Sequence, residues 1–101
     1  MLKVTVLYGQ PTCPDDFEKY YEEIHAPIAS GMKGVMRFEL TKFTAGPDGG
    51  RPAFYRMAEL YFTSQDQMQK AMSSPEGQAT VSDIANFATG GATVLVGLVE
   101  E

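Results

Sequence analysis

The architecture of this chain turns on one stretch: VMRFELTKFT (Val35–Thr44), a loop carrying Gly46-Pro47-Asp48-Gly49-Gly50, and AFYRMAELYF (Ala53–Phe62). Val35–Thr44 alternates apolar and polar residues, the period of a strand, and the largely apolar Ala53–Phe62 reads as a further strand. The glycine- and proline-rich loop between them suits a long hairpin. Upstream, Leu2, Val4, Val6 and Tyr8 alternate in the same way, and Gly9-Gln10-Pro11-Thr12-Cys13-Pro14 breaks the pattern. Asp15 and Glu18 then have the spacing of a capping box. Phe17, Tyr20, Tyr21, Ile24 and Ile28 follow as the apolar stripe of a helix. Pro27 disfavours helical geometry at Ala26, so regular helix is expected to end or kink near His25. Downstream, Ser64 and Gln67 open a helix that turns Met68, Ala71 and Met72 inward. Ser74-Pro75 opens a second piece, with Val81, Ile84, Ala85 and Ala88 as its apolar face. Gly90-Gly91 stops it, and Val94, Val96 and Leu98 mark a last strand. The order βαββαβ is the split βαβ pattern. It predicts a ferredoxin-like α+β fold, a four-stranded antiparallel sheet with helices on one face.

The chain is 101 residues and 11.0 kDa, which predicts a single domain over residues 1–101. Eight Lys and Arg against thirteen Asp and Glu leave a net charge of −5. That balance argues against a nucleic-acid partner, because phosphate binding rests on clustered positive charge. One Cys and one His supply neither an internal disulfide nor a zinc site, so no metal is expected. Met1-Leu2-Lys3 runs into the first strand without the apolar core of a signal peptide. The longest uncharged run, Ile84–Val99, is too short and too polar to span a bilayer. The expected setting is the reducing cytoplasm, with no membrane contact.

Sorting the strand residues by parity separates two faces. Leu2, Val4, Val6, Tyr8, Met36, Phe38, Leu40, Phe54, Ala58, Leu60, Phe62, Val94, Val96 and Leu98 form an apolar set, joined only by Arg56, and are expected to lie under the helices. The opposite set includes Thr5, Leu7, Arg37, Glu39, Phe43, Tyr55, Met57, Glu59, Tyr61 and Leu95. This face is too apolar for free solvent and too polar for a core, as interfaces are. A chain of this length buries only roughly 60–68% of its unfolded surface, so a homodimer through Tyr55, Met57, Tyr61 and Phe43 is the expected assembly.

Chemistry has few carriers. His25 is the only histidine, bordering the apolar stripe one turn after Tyr21, where a general acid or base could sit. A pocket between the first helix and the sheet would be lined by Phe17, Tyr21, Ile24, Phe38 and Leu60. Glu39 and Glu59 read as a solvated or arginine-bridged pair, with Arg37 at hand. Cys13 precedes a helix N-terminus but has no redox partner in the chain. Glu76, Asp83 and Asn86 read as surface and capping groups. No phosphate loop, dinucleotide fingerprint or nucleophile elbow is present.

Tyr20-Tyr21 followed by His25-Ala26-Pro27-Ile28 resembles the Tyr…His-x-Pro-Leu segment of EthD-like proteins, named for their link to ethyl tert-butyl ether degradation. Ser74-Pro75-Glu76-Gly77-Gln78, Asp83 and Asn86-Phe87 are similar to that family's second signature. The resemblance covers essentially the whole chain. It implies the dimeric α+β barrel, in which two ferredoxin-like subunits press their sheets together. It further implies a small cofactor-independent enzyme of oxidoreductase, dehydratase or isomerase type, acting on a hydrophobic, oxygen-bearing small molecule. A helix-1 histidine is implicated in some relatives, which points to His25 as the catalytic proton carrier with Tyr21 orienting the oxygen. The alternative that it implies is a non-catalytic binding or protective module in a degradation or stress pathway. Lys33-Gly34 stands where many relatives have proline-glycine, at the rim of the pocket. With no second histidine, haem is not expected.

Overall fold

The computed structural model describes residues 1–100. Strand β1 (Leu2–Gly9) leads into helix α1 (Pro14–Tyr20), a π-helical turn (Tyr21–His25) and α2 (Ala26–Ser30). The hairpin β2 (Arg37–Lys42) and β3 (Phe54–Phe62) follows. Then come α3 (Gln65–Ser73), α4 (Pro75–Asp83), a 3-10 turn (Ile84–Asn86) and β4 (Ala92–Leu98). The sheet order is β2-β3-β1-β4, every neighbour antiparallel. This is the ferredoxin-like α+β arrangement.

Local chemistry explains most of the element starts. The Ser64 side chain accepts the Gln67 N–H, and the Ser74 side chain accepts the Gly77 N–H ahead of Pro75. Gly77 also lets α4 begin hard against the end of α3, since a Cβ there would lie 2.1 Å from the Ala71 carbonyl oxygen. The first helix departs from its expected cap: Cys13 is the N-cap with no side-chain bond, and Pro14 occupies the first turn. Proline's fixed φ prepares that turn, while Glu18 is drawn away to Arg56.

Regular α-helix is interrupted near His25, as expected from Pro27, but by a π turn rather than a chain break. The Ala26 N–H reaches back to the Tyr21 carbonyl, one residue beyond the α spacing, and the chain continues helically to Ser30. The wider turn accommodates a residue that lacks an N–H and would clash with a carbonyl four residues back. It also rotates the buried face. Phe17, Tyr21 and His25 point inward, while Ile24, expected in the pocket, is 44% exposed.

Parity predicts the pairing on the helix side: Val4 stands between Leu60 and Val96, and Val6 between Ala58 and Val94. The helices, however, cover only the central strands. On the helix side of β2 and β4, Phe38, Leu40, Val94, Val96 and Leu98 are exposed. Tyr55 is a second correction. A bulge opposite Tyr8 and Gly9 inserts it as an extra residue beside Arg56. It turns into the core, edge-on to Phe17 at 5.1 Å, instead of onto the open face with Met57 and Tyr61. On that open face Glu39 and Glu59 stand directly opposite each other. Arg37 neutralises the first, and Lys3 the second. Tyr61 lies beneath the Arg37 guanidinium at 4.2 Å.

Candidate active site

An aromatic cluster fills the space between β1 and the first helix. Tyr8, Phe17, Tyr21 and Phe87 are buried with ring centroids 5.1–5.8 Å apart. His25 extends this cluster: it is 4% exposed, with its ring 4.6 Å from Phe87 and 5.4 Å from Tyr21. Beside it opens a cavity of about 270 Å³. Its walls are mainly apolar (Val4, Val6, Ala29, Met32, Phe38, Leu40, Leu60, Met72, Ile84 and Val94), and Tyr8, Tyr21, His25, Ser30 and Thr80 are its polar points. Among the described residues no Asp, Glu, Lys or Arg lines it.

Of the residues expected at the pocket, Tyr21, His25, Phe38 and Leu60 line it. Phe17 is a core residue behind Tyr21, and Ile24 faces solvent for the reason given above.

The unexpected member is Asp83. It is 7% exposed rather than a surface group, and its Oδ2 lies 3.0 Å from His25 Nδ1. Its Oδ1 accepts the Tyr20 hydroxyl at 2.5 Å and the Asn86 amide at 3.0 Å. Burial works against its charge, yet hydrogen bonds from Tyr20, Asn86 and His25 outweigh that cost and hold the carboxyl below its ordinary value. A carboxylate only accepts, so Nδ1 carries the proton and Nε2 is the ring nitrogen left free. The signal for Asp83 was present in the sequence: Gly77, Thr80, Asp83 and Phe87 recur at helical spacing on the buried face.

Burial pushes the Tyr8 and Tyr21 phenols upward, so both remain hydrogen-bond donors around neutral pH. Behind Tyr21 the Arg56 guanidinium lies 4.9 Å from the ring centre and binds Glu18 through Nε at 3.2 Å and through a second, shorter contact. Among the described residues no cluster of His, Cys, Asp and Glu could hold a metal ion, and no helix is long and apolar enough to cross a membrane. An imidazole fixed on one side and facing an apolar cavity on the other is suited to general acid–base chemistry.

Known proteins place this geometry in context. An uncharacterized 11.0 kDa protein of the thcB-thcC intergenic region of Rhodococcus erythropolis is 40% identical over 95 residues, covering 94% of this chain and 91% of that one. A crystal structure of an EthD family protein from Bacillus halodurans superposes with a TM-score of 0.93 at 31% identity, covering 99% of both chains. The fold alone is shared with a cofactor-independent oxygenase from Streptomyces nogalater (14% identity, TM-score 0.67, 99% of this chain and 92% of that one). It is also shared with a hydroxynitrile lyase from Passiflora edulis (11%, 0.75, 99% and 94%). The model of the EthD domain family matches residues 10–91, through both histidine and aspartate segments, and the chain belongs to the EthD family.

Proposed function

We propose that this protein is a small enzyme that moves a proton on an uncharged, apolar, oxygen-bearing molecule, with His25 as the transferring group. One observation carries the reading: a buried imidazole whose Nδ1 is tied to Asp83 while its ring lines an otherwise apolar cavity. The ligand is uncharged because the walls offer no charged side chain to compensate for lost hydration. It bears oxygen because the cavity's polar points, the Tyr21 hydroxyl beside Tyr8 and the His25 ring once protonated, offer donors that an oxygen acceptor on the ligand can meet. Proton transfer next to a carbonyl or at a phenol is common to oxidoreductase, dehydratase and isomerase chemistry, and it requires no cofactor. Tyr21 orients the ligand oxygen, and His25 Nε2 takes and returns the proton.

The reading includes a homodimer formed through the open sheet faces, with Met57, Tyr61 and Phe43 at the contact. The uncovered Leu95 and the half-buried Leu7 and Met57 on that face support it.

Incubation with a panel of uncharged cyclic ketones and phenols in deuterated water, followed by mass spectrometry, tests the catalytic claim. Deuterium incorporation that falls roughly 10²–10⁴-fold in His25→Ala is expected. Exchange that survives in the variant overturns the role of His25. Ligands that raise the melting temperature without exchanging a proton would instead favour a binding module.

A further inference from the structure

We infer that Asp83 is a positioning residue that locks His25 in the Nδ1–H tautomer, itself held in place by Tyr20 and Asn86. The inference deepens the reading of His25 as proton carrier and rests on it for its catalytic meaning. The division of labour on the carboxylate is the main support. Oδ1 takes both the Tyr20 hydroxyl and the Asn86 amide, which fixes the plane of the carboxylate and leaves Oδ2 for the imidazole. Two of these three ties come from the 3-10 turn after α4 and from α1, so the histidine's orientation depends on helices from both halves of the chain.

Asp83 does not line the cavity. It therefore acts on a ligand only through His25. Tyr20 and Asn86 line a separate groove of about 240 Å³ on the far side, so neither of them faces the ligand cavity. The ring that Asp83 holds is the imidazole that lines the ligand cavity. With Nδ1–H donated, Nε2 keeps its lone pair and serves as the base. In the opposite tautomer Nε2 would carry a proton, and the neutral ring would be useless for accepting one.

The chain has a single histidine, so histidine-selective ¹⁵N labelling yields one pair of ring signals that needs no assignment. On the neutral ring of the free protein, we expect a protonated Nδ1 and an unprotonated Nε2. Asp83→Asn conserves shape but offers an amide that donates as readily as it accepts. It is expected to convert the single tautomer into a mixture. In the deuterium-exchange assay it should lower turnover about 100-fold with little change in KM. Tyr20→Phe keeps Asp83 but removes one tie. It should preserve the tautomer while the Nδ1 proton exchanges with solvent several-fold faster.

A wild-type ring protonated at Nε2 overturns the inference without any variant, so failure of Asp83→Asn to fold does not shield it. An unchanged tautomer in folded Asp83→Asn overturns it too. Proton exchange absent for every compound, with the tautomer shift intact, would remove the catalytic reading and leave the positioning role of Asp83 standing.

Discussion

Strands β3 and β4 flank the same neighbour, β1, and both are predominantly apolar, yet they end in opposite environments. In β3, Ala58, Glu59, Leu60, Tyr61 and Phe62 are all buried. In β4, Val94, Leu95, Val96 and Leu98 are 47–71% exposed. The difference is position: β3 has a hydrogen-bonded strand on each side and helices above, whereas β4 is an edge with no helix over it. A strand apolar on both faces has the composition of one buried on both sides. An open edge of that kind is a liability that folded proteins normally cover. The hydrophobic pattern of β4 thus describes an environment that one copy of the chain does not provide.

Substitutions should separate the two strands. Phe62, fully buried, is expected to cost about 3–5 kcal/mol when cut to alanine, enough to threaten folding of a domain this small. Urea denaturation measures it, and a loss under about 1 kcal/mol would mean that β3 is not the centre of the core. Leu95→Asp places a charge on the open face of β4. A single copy should stay folded, within about 1 kcal/mol of the parent. Dimerisation, followed by sedimentation against concentration, should weaken at least about 100-fold because a charge is buried at the contact. An unchanged association constant would remove the proposed contact, and a variant that unfolds like Phe62→Ala would erase the contrast between the strands.

The contrast also marks how far the residues could be read in advance. Element order and register follow from alternation and caps, because period-2 patterns and Ser64 or Ser74 caps are local signals. Three features were hidden because each depends on something non-local. The π-turn at Tyr21–His25 exists because Pro27 is absorbed within a continuing helix, and it expels Ile24 from the pocket. The bulge that redirects Tyr55 is visible only in the pairing of β3 with β1. Helical spacing with Gly77, Thr80 and Phe87 puts Asp83 on a buried face, but the partners that make a buried carboxylate tolerable, Tyr20 and His25, lie 63 and 58 residues away and leave no local signal. The cavity residues on the strands were legible; the polar cluster joining two helices was not.

Acidification offers the smallest and most selective test of the same contrast. Strand β3 carries Arg56, whose guanidinium holds Glu18 of α1, whereas β4 has no titratable side chain at all. Burial tends to raise the Glu18 carboxyl, but the bonds to Arg56, aided by Tyr55 and Lys42, prevail and hold it below its ordinary 4.5. The unfolded chain therefore binds this proton first as pH falls. The stabilisation is full above the ordinary carboxylate range and is lost as pH drops through the lower folded value. Because Glu18 is partly exposed, the contribution should be about 1 kcal/mol or less, a shift of a few degrees in melting temperature between neutral and acid pH. In Glu18→Gln that part of the pH dependence should vanish, while the acid sensitivity owed to Asp83 remains. If Glu18→Gln and the parent lose stability in parallel down to the most acid pH at which both still fold, the Arg56–Glu18 tie does not anchor β3 to the first helix.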